Sequence, residues 1–280
     1  MYGIFKIPQL GFIGAGKIVE VLTKGFVAAG IVQNNNIWAS SPVDRDLHWI
    51  RHLGCNVSSN NKDILDRNQV VVLAVKPQIL PNVLKEIAPS VTEDHLVISV
   101  AAGMTLSKIE SVLPQKSRVV RIMTNTPVMF RNGVSAFSMG KNIKNGDHET
   151  IYKLLSSIGY CVEVKEDLMD TVTGFAGGGP AYIYTVIEAL ADGAVRGGIN
   201  RADAVKMATQ ITIGAARMVQ ETGLHTGELK DAVCSPGGTT IVGVQALEKG
   251  GIRATLMDAV HEAGCRAKEL GKSFNGGPKN

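Results

Sequence analysis

Two glycine-bearing stretches carry the residue types from which chemistry could be built. Near the start, Leu10-Gly11-Phe12-Ile13-Gly14-Ala15-Gly16-Lys17-Ile18 leads from a short apolar run straight into an apolar-periodic segment that extends from Lys17 to Ala29. Strand, glycine turn and helix in that order make a cradle for a phosphate. Gly14 permits the tight turn, Gly16 lets a pyrophosphate approach the backbone, and the N–H groups and dipole of the helix start favour an anion. Val19 stands where such loops carry a third glycine, which bears on the close packing of helix against strand and not on the phosphate contact. Far down the chain lies Lys230-Asp231-Ala232-Val233-Cys234-Ser235-Pro236-Gly237-Gly238-Thr239-Thr240-Ile241. Ser-Pro-Gly-Gly, two threonines and an apolar-periodic run predict a helix start with exposed amides and hydroxyls, a seat for a small carboxylate. A plain helix cap would need neither the glycine pair nor both threonines.

The elements that must position these stretches follow a simple alternation. After the first helix, Asn36 to Ser41 reads as a second strand, ending where dinucleotide folds contact the adenosine ribose. It ends without the carboxylate that would accept from the 2′-hydroxyl of NAD. Ser40, Ser41 and Arg45 could instead donate to a 2′-phosphate, so NADP is favoured over NAD. A brief strand around Cys55 to Val57 leads to Asn61 and a short helix. The run Gln69 to Val75 is almost wholly apolar, so both faces must be covered, as in a central parallel strand. It ends in Val75-Lys76-Pro77, with Pro77 opening the next helix at the edge of the sheet where ligands bind. Leu96 to Val100 ends in Ala101-Ala102-Gly103, small enough for a flat ring to lie against the backbone, and Arg118 to Ile122 runs into Thr124-Asn125-Thr126-Pro127. A hairpin-like pair, Val134 to Phe137 and Cys161 to Val164, flanks a helix near Asp147 to Ser157 and closes the first domain. The expected fold class is α/β: a doubly wound Rossmann-type sheet over residues 1–166, then an all-helical dimerisation and substrate-binding domain over 167–280. Tyr182 to Val195, Ala202 to Met218 and Ile252 to Glu269 have helix-length periodicity, and small residues such as Ala189, Ala191, Gly193 and Ala194 on several faces point to burial beyond what one chain supplies.

The bulk properties narrow the class further. A chain of 280 residues with 45% hydrophobic and 19% charged residues is globular, and its net charge of +4 is spread without basic runs or interleaved aromatics, so no nucleic-acid partner is expected. Cys55, Cys161, Cys234 and Cys265 lie far apart without paired spacing, which fits reduced thiols rather than disulfides or a zinc site. Met1 to Gln9 is too short for a leader and no apolar run reaches membrane-spanning length, so a cytoplasmic protein with no membrane contact is expected.

With the glycine loop, Val75-Lys76-Pro77, Thr124-Asn125-Thr126-Pro127 and Ser235-Pro236-Gly237-Gly238-Thr239-Thr240 in one order, nearly the whole chain resembles the Δ1-pyrroline-5-carboxylate reductases. The last motif, extended through Ala246-Leu247-Glu248, is the specific one, and Gly251 to Gly271 looks most like the shorter cytosolic animal form. The resemblance implies transfer of a hydride from NAD(P)H to a cyclic imine with release of L-proline, the last step of proline biosynthesis. NADPH is the expected cofactor, with NADH left open. The resemblance places cofactor contacts at Gly14, Ala15, Gly16, Lys17, Ile18, Ser41, Asn61, Val75, Lys76, Pro77 and Ala102. It places the substrate carboxylate against the amides of Gly238 and Thr239 beside Ser235, the imine nitrogen opposite Thr240, and Glu166 near the ring nitrogen. On its own, Glu166 in Val164-Lys165-Glu166-Asp167 reads as a solvated turn charge. The implied assembly is a homo-oligomer, a homodimer or a homodecamer built as a pentamer of dimers. Three positions depart from the family pattern: Gly178 replaces the usual serine of Gly-Ser-Gly-Pro, Thr226 a proline, and Ala232 a frequently polar residue.

The chemistry agrees with those assignments. Hydride transfer needs no protein nucleophile and no metal, only a ring held at the right distance and a nitrogen that carries positive charge as the hydride arrives. Thr240 can hydrogen-bond that nitrogen and Glu166 can stabilise its charge, so these two are the expected catalytic residues. His225 and His261 are expected to be surface or structural residues rather than catalytic ones. A 3-hydroxyacid dehydrogenase would need a lysine or histidine base for an alcohol proton, which the Ser-Pro-Gly-Gly-Thr-Thr stretch does not supply. A non-catalytic binder of proline or NADPH would not need Thr240 and Glu166 together.

Overall fold

The structure, a computed structural model, describes residues 7–275. Six strands and their intervening helices alternate from the start: β1 (Leu10–Ile13), α1 (Lys17–Ala28), β2 (Ile37–Ser40), α2 (His48–His52), β3 (Asn56–Ser58), α3 (Asn61–Arg67), β4 (Val70–Leu73), α4 (Leu80–Ile87), β5 (Leu96–Ser99), α5 (Leu106–Glu110) and β6 (Arg118–Thr124). β7 (Gly133–Met139), α6 (Asp147–Ser156) and β8 (Gly159–Glu163) complete an eight-stranded sheet of order β3-β2-β1-β4-β5-β6-β7-β8. β1 lies between β2 and β4, so the strand order reverses at β1, and a crevice opens outside the carboxyl ends there. Every residue of β1 and of β5 is buried, which explains why these strands read as unbroken apolar runs: helices cover both faces.

α1 forms because Val19, Val21, Leu22 and Phe26 recur on the face it turns to the sheet, each worth about 1.5–3 kcal/mol on full burial. Val19, in place of the missing glycine, is fully buried in that core. Close approach is achieved further along, at Gly25, where a Cβ would lie 2.5 Å from the carbonyl oxygen of Val128.

The expected hairpin of Val134 to Phe137 with Cys161 to Val164 is not formed. β7 and β8 pair in parallel, joined through α6, and it is β6 and β7 that pair antiparallel. A connection long enough to hold a helix makes a crossover rather than a hairpin. The reversal between β6 and β7 is fixed by Asn125, which is buried: its Nδ2 donates to the carbonyl of Ala176 at 3.0 Å and its Oδ1 accepts from the Val134 N–H at 3.0 Å.

The rest of the chain is helical: α7 (Met169–Val172), a π-helical turn (Thr173–Gly177), α8 (Gly179–Arg196), α9 (Arg201–Thr222), α10 (Thr226–Ala232), α11 (Thr239–Lys249) and α12 (Ile252–Asn275). Two compact units result, one of residues 7–178 with 261–275 and one of 179–260. This division differs from the 166/167 boundary expected above. Met169 is buried, Asp170 pairs with Arg121, and a Cβ on Gly271 would lie 2.7 Å from the Gly103 carbonyl oxygen, so α7 and the end of α12 pack with the sheet.

Within the second unit, Ala191, Ala204 and Ala208 form a small buried cluster between α8 and α9, with Ile187, Ala194 and Val195 against it. Ala191 thus faces a helix of its own chain, whereas Ala189 and Gly193 are exposed. Ala191→Leu is expected to force these helices apart and lower stability by about 1–3 kcal/mol, read as a lower denaturation midpoint. An unchanged midpoint would mean that the helices can part without cost.

Candidate functional site

The glycine loop joins the ends of three strands. The Gly14 N–H donates to the carbonyl of Ser40 at 2.9 Å and the Ala74 N–H to that of Ile13 at 2.8 Å. Gly14 has φ +113°, and a Cβ there would lie 2.6 Å from the Ala74 carbonyl oxygen, so only glycine fits. Trp49 braces the loop from behind, its Nε1–H donating to the Ala15 carbonyl at 3.0 Å. On the other side the loop is open. Gly16 is the N-cap of α1 without a side-chain capping bond, and a Cβ on it would meet nothing within 4 Å. First-turn amides, a helix dipole and open space suit a pyrophosphate, so the residues fit a dinucleotide. Lys17 is exposed and its Nζ lies 2.9 Å from Glu20, whose carboxyl is held below its ordinary range by the Lys24 ammonium and then by Lys17.

At the end of β2 the two serines separate. Ser40 is fully buried and donates to Asn61 Oδ1 at 2.7 Å, so it ties β2 to α3 and does not reach a 2′-phosphate. Asn61 Nδ2 donates in turn to Glu86 at 3.0 Å. Ser41 Oγ accepts from the Val43 N–H at 3.2 Å, while Arg45 is exposed. Nearby Asp44 pairs with Arg51 and His48, and the Arg51 guanidinium first, His48 second, holds its carboxyl below the usual range.

Val75, Lys76 and Pro77 follow β4 at the same edge, with Lys76 exposed. Pro77 does not open a helix as expected: it begins a turn in which the N–H groups of Ile79 and Leu80 donate to the Lys76 carbonyl, and α4 starts at Leu80 with its own proline, Pro81, in the first turn. Ala102 is half-buried in the turn after β5.

Glu166 is not a solvated charge. Its Oε1 accepts from the Leu106 N–H at 2.6 Å and lies 3.4 Å from Arg121 Nη1, while Arg121 Nη2 lies 2.9 Å from Asp170. Arg121 is the functional candidate that the sequence reading missed. Its signal was there: a charge in the middle of the apolar run of β6, 3% exposed, must find anionic partners.

In the second unit, Gly237 at φ +68° turns the chain and the Gly238 N–H donates to the Ser235 carbonyl at 3.0 Å. Gly238 is the N-cap of α11, again without a side-chain capping bond. Thr239 and Thr240 are the first two helical residues, both exposed together with Ser235. Sequence and geometry agree on a helix start that offers amides and hydroxyls. His225 caps α10 by accepting from the Gly227 N–H, a structural use.

Comparison with known proteins decides the family. Residues 166–270 match the family model for pyrroline-5-carboxylate reductase dimerisation, and residues 9–103 that for NADP oxidoreductase, coenzyme F420-dependent. The chain is 47% identical over 267 residues to the pyrroline-5-carboxylate reductase of Methanosarcina acetivorans, covering 94% of this chain and 98% of that protein. It is 42% identical over 264 residues to pyrroline-5-carboxylate reductase 3 of Mus musculus, covering 94% and 96%. The chain belongs to the pyrroline-5-carboxylate reductase family. Its fold agrees: the Plasmodium falciparum pyrroline carboxylate reductase solved with NADP bound superimposes with a TM-score of 0.87 at 32% identity, over 96% of this chain and 100% of that one. The α/β class and the family resemblance read from the motifs are therefore borne out.

All four cysteines are thiols, and burial pushes those of Cys55 and Cys161 up to about 11. Among the described residues no helix is long and apolar enough to cross a membrane.

Proposed function

We propose that this chain reduces L-1-pyrroline-5-carboxylate to L-proline with NADPH. The observation that carries the reading is the pair of open helix starts, at Gly16 and at Gly238, each without a side-chain cap: one suits a pyrophosphate, the other a small carboxylate. NADPH when bound supplies the hydride that adds to the carbon of the C=N bond, and the ring nitrogen keeps one proton. Gly14 makes the turn, its own N–H on the Ser40 carbonyl, the amides from Ala15 to Ile18 hold the pyrophosphate, Ser41 and Arg45 take the 2′-phosphate, and Asn61, Val75-Lys76-Pro77 and Ala102 line the rest of the dinucleotide. The Thr239 amide, beside Ser235, orients the substrate carboxylate, while the Gly238 N–H stays on the Ser235 carbonyl and Gly238 leaves room for the carboxylate to approach. Thr240 hydrogen-bonds the ring nitrogen, and Glu166 balances its positive charge.

In this reading the sheet holds the cofactor and the helical part of the chain binds substrate and a second copy, which the matches to the NADP oxidoreductase model over residues 9–103 and to the dimerisation model over residues 166–270 support. Exposed apolar side chains on the second unit, among them Val242 at 62% and Met257 at 72%, support a homodimer, from which a pentamer of dimers can be built. Thiols without disulfides support the cytoplasm as its compartment. Purified protein is expected to oxidise NADPH only when pyrroline-5-carboxylate is added, with proline formed in equal amount. Oxidation without proline would overturn the assignment.

A further inference from the structure

Arg121 sits in β6 with its neighbours in register, Ser99 on β5 and Ser138 on β7, and its side chain is almost wholly withdrawn from water. A charge placed there is costly to desolvate, and replacing a buried ion pair by apolar side chains of similar volume is often neutral or stabilising, so stability is a weak reason for the guanidinium to be there. Its two terminal nitrogens are divided between two carboxylates of the segment after β8: Nη2 on Asp170 at 2.9 Å and Nη1 on Glu166 at 3.4 Å. Glu166 receives a second donor on the same oxygen, the Leu106 N–H at the start of α5. Oε1 is thus fixed from β6 and from α5, while the Glu166 side chain remains 31% exposed.

We propose that Arg121 is a positioning residue for the reduction, anchoring Glu166 through Oε1 so that Oε2 is presented to the positively charged ring nitrogen. This rests on the reading of Glu166 given above. The planar fork of arginine suits the task, because it meets two carboxylates at once and fixes their planes, which a lysine ammonium does not.

A double-mutant cycle tests it on the full-length enzyme, with kcat/KM for pyrroline-5-carboxylate as the main readout and NADPH affinity and thermal midpoint alongside. Glu166→Gln is expected to lower kcat/KM by about tenfold or more, as for a lost contact to a charged group. Arg121→Met should lower it to a similar level, mainly in kcat, with NADPH affinity unchanged. In the Glu166→Gln background Arg121→Met should then produce little further loss, because both changes remove one interaction. Arg121→Lys should recover part of the turnover, and the same cycle run with Arg121→Lys decides the matter where Arg121→Met does not fold. Wild-type turnover in Glu166→Gln would overturn the role of Glu166 and the proposal with it. An impaired Glu166→Gln together with an equal further loss on changing Arg121 would leave Glu166 in place and make Arg121 a structural residue only.

Discussion

Thr240→Ala is expected to lower kcat/KM by about ten- to a hundredfold while leaving NADPH affinity and stability nearly unchanged, the loss matching a hydrogen bond to a charged group worth roughly 1.5–3 kcal/mol. Had Thr240 been the cap of α11, its removal would cost about 1 kcal/mol of stability whatever its part in the reaction. The cap is Gly238, and Thr240 is the second helical residue, exposed on a helix whose first turn needs no hydroxyl from it. Alanine is a better helix former at such a position than threonine, so the folded state loses little. A rate effect can therefore be read without a stability correction. Thr240→Ser, which keeps the hydroxyl, should retain much of the activity. Equal turnover of wild type and Thr240→Ala at subsaturating substrate would remove Thr240 from the mechanism.

Where the sequence was legible, one physical cause made it so. Strands covered on both faces must be apolar at every position, so β1, β4 and β5 stood out as runs, and the glycines at the end of β1 marked the crevice. Pairing direction is not written in such a pattern, and the short runs of β7 and β8 were misread as a hairpin although the helix between them called for a crossover. Side-chain direction is hidden in the same way. Ser40 and Ser41 are adjacent and look alike, yet the last residue of β2 points into the core and bonds Asn61, while the next belongs to a turn at the crevice. Glu166 looked solvated because its partners, Leu106 and Arg121, are 60 and 45 residues away in the chain. Only the fold brings them together.

The separation of the two serines also fixes the terms of a cofactor test. Ser41→Asp is expected to weaken NADPH binding by at least about tenfold and to make NADH the tighter ligand, because a carboxylate beside a doubly charged phosphate is repelled by more than about 1.4 kcal/mol, and Ser41, itself 7% exposed, is little screened by water. The same carboxylate accepts from the ribose 2′-hydroxyl of NADH, so that affinity should be kept or raised. The turn should survive the change. Ser41 Oγ accepts from the Val43 N–H, two residues on, and an aspartate makes the same bond with one oxygen, leaving the other for the ribose. Ser40 offers no such test, since a carboxylate in its place would be buried between β2 and α3 and would cost stability before it met any cofactor. Dissociation constants for the two nucleotides, titrated against wild type and Ser41→Asp, provide the measurement. Tighter binding of NADH by the wild type, or a ratio that Ser41→Asp leaves unchanged, would place the 2′-phosphate away from Ser41.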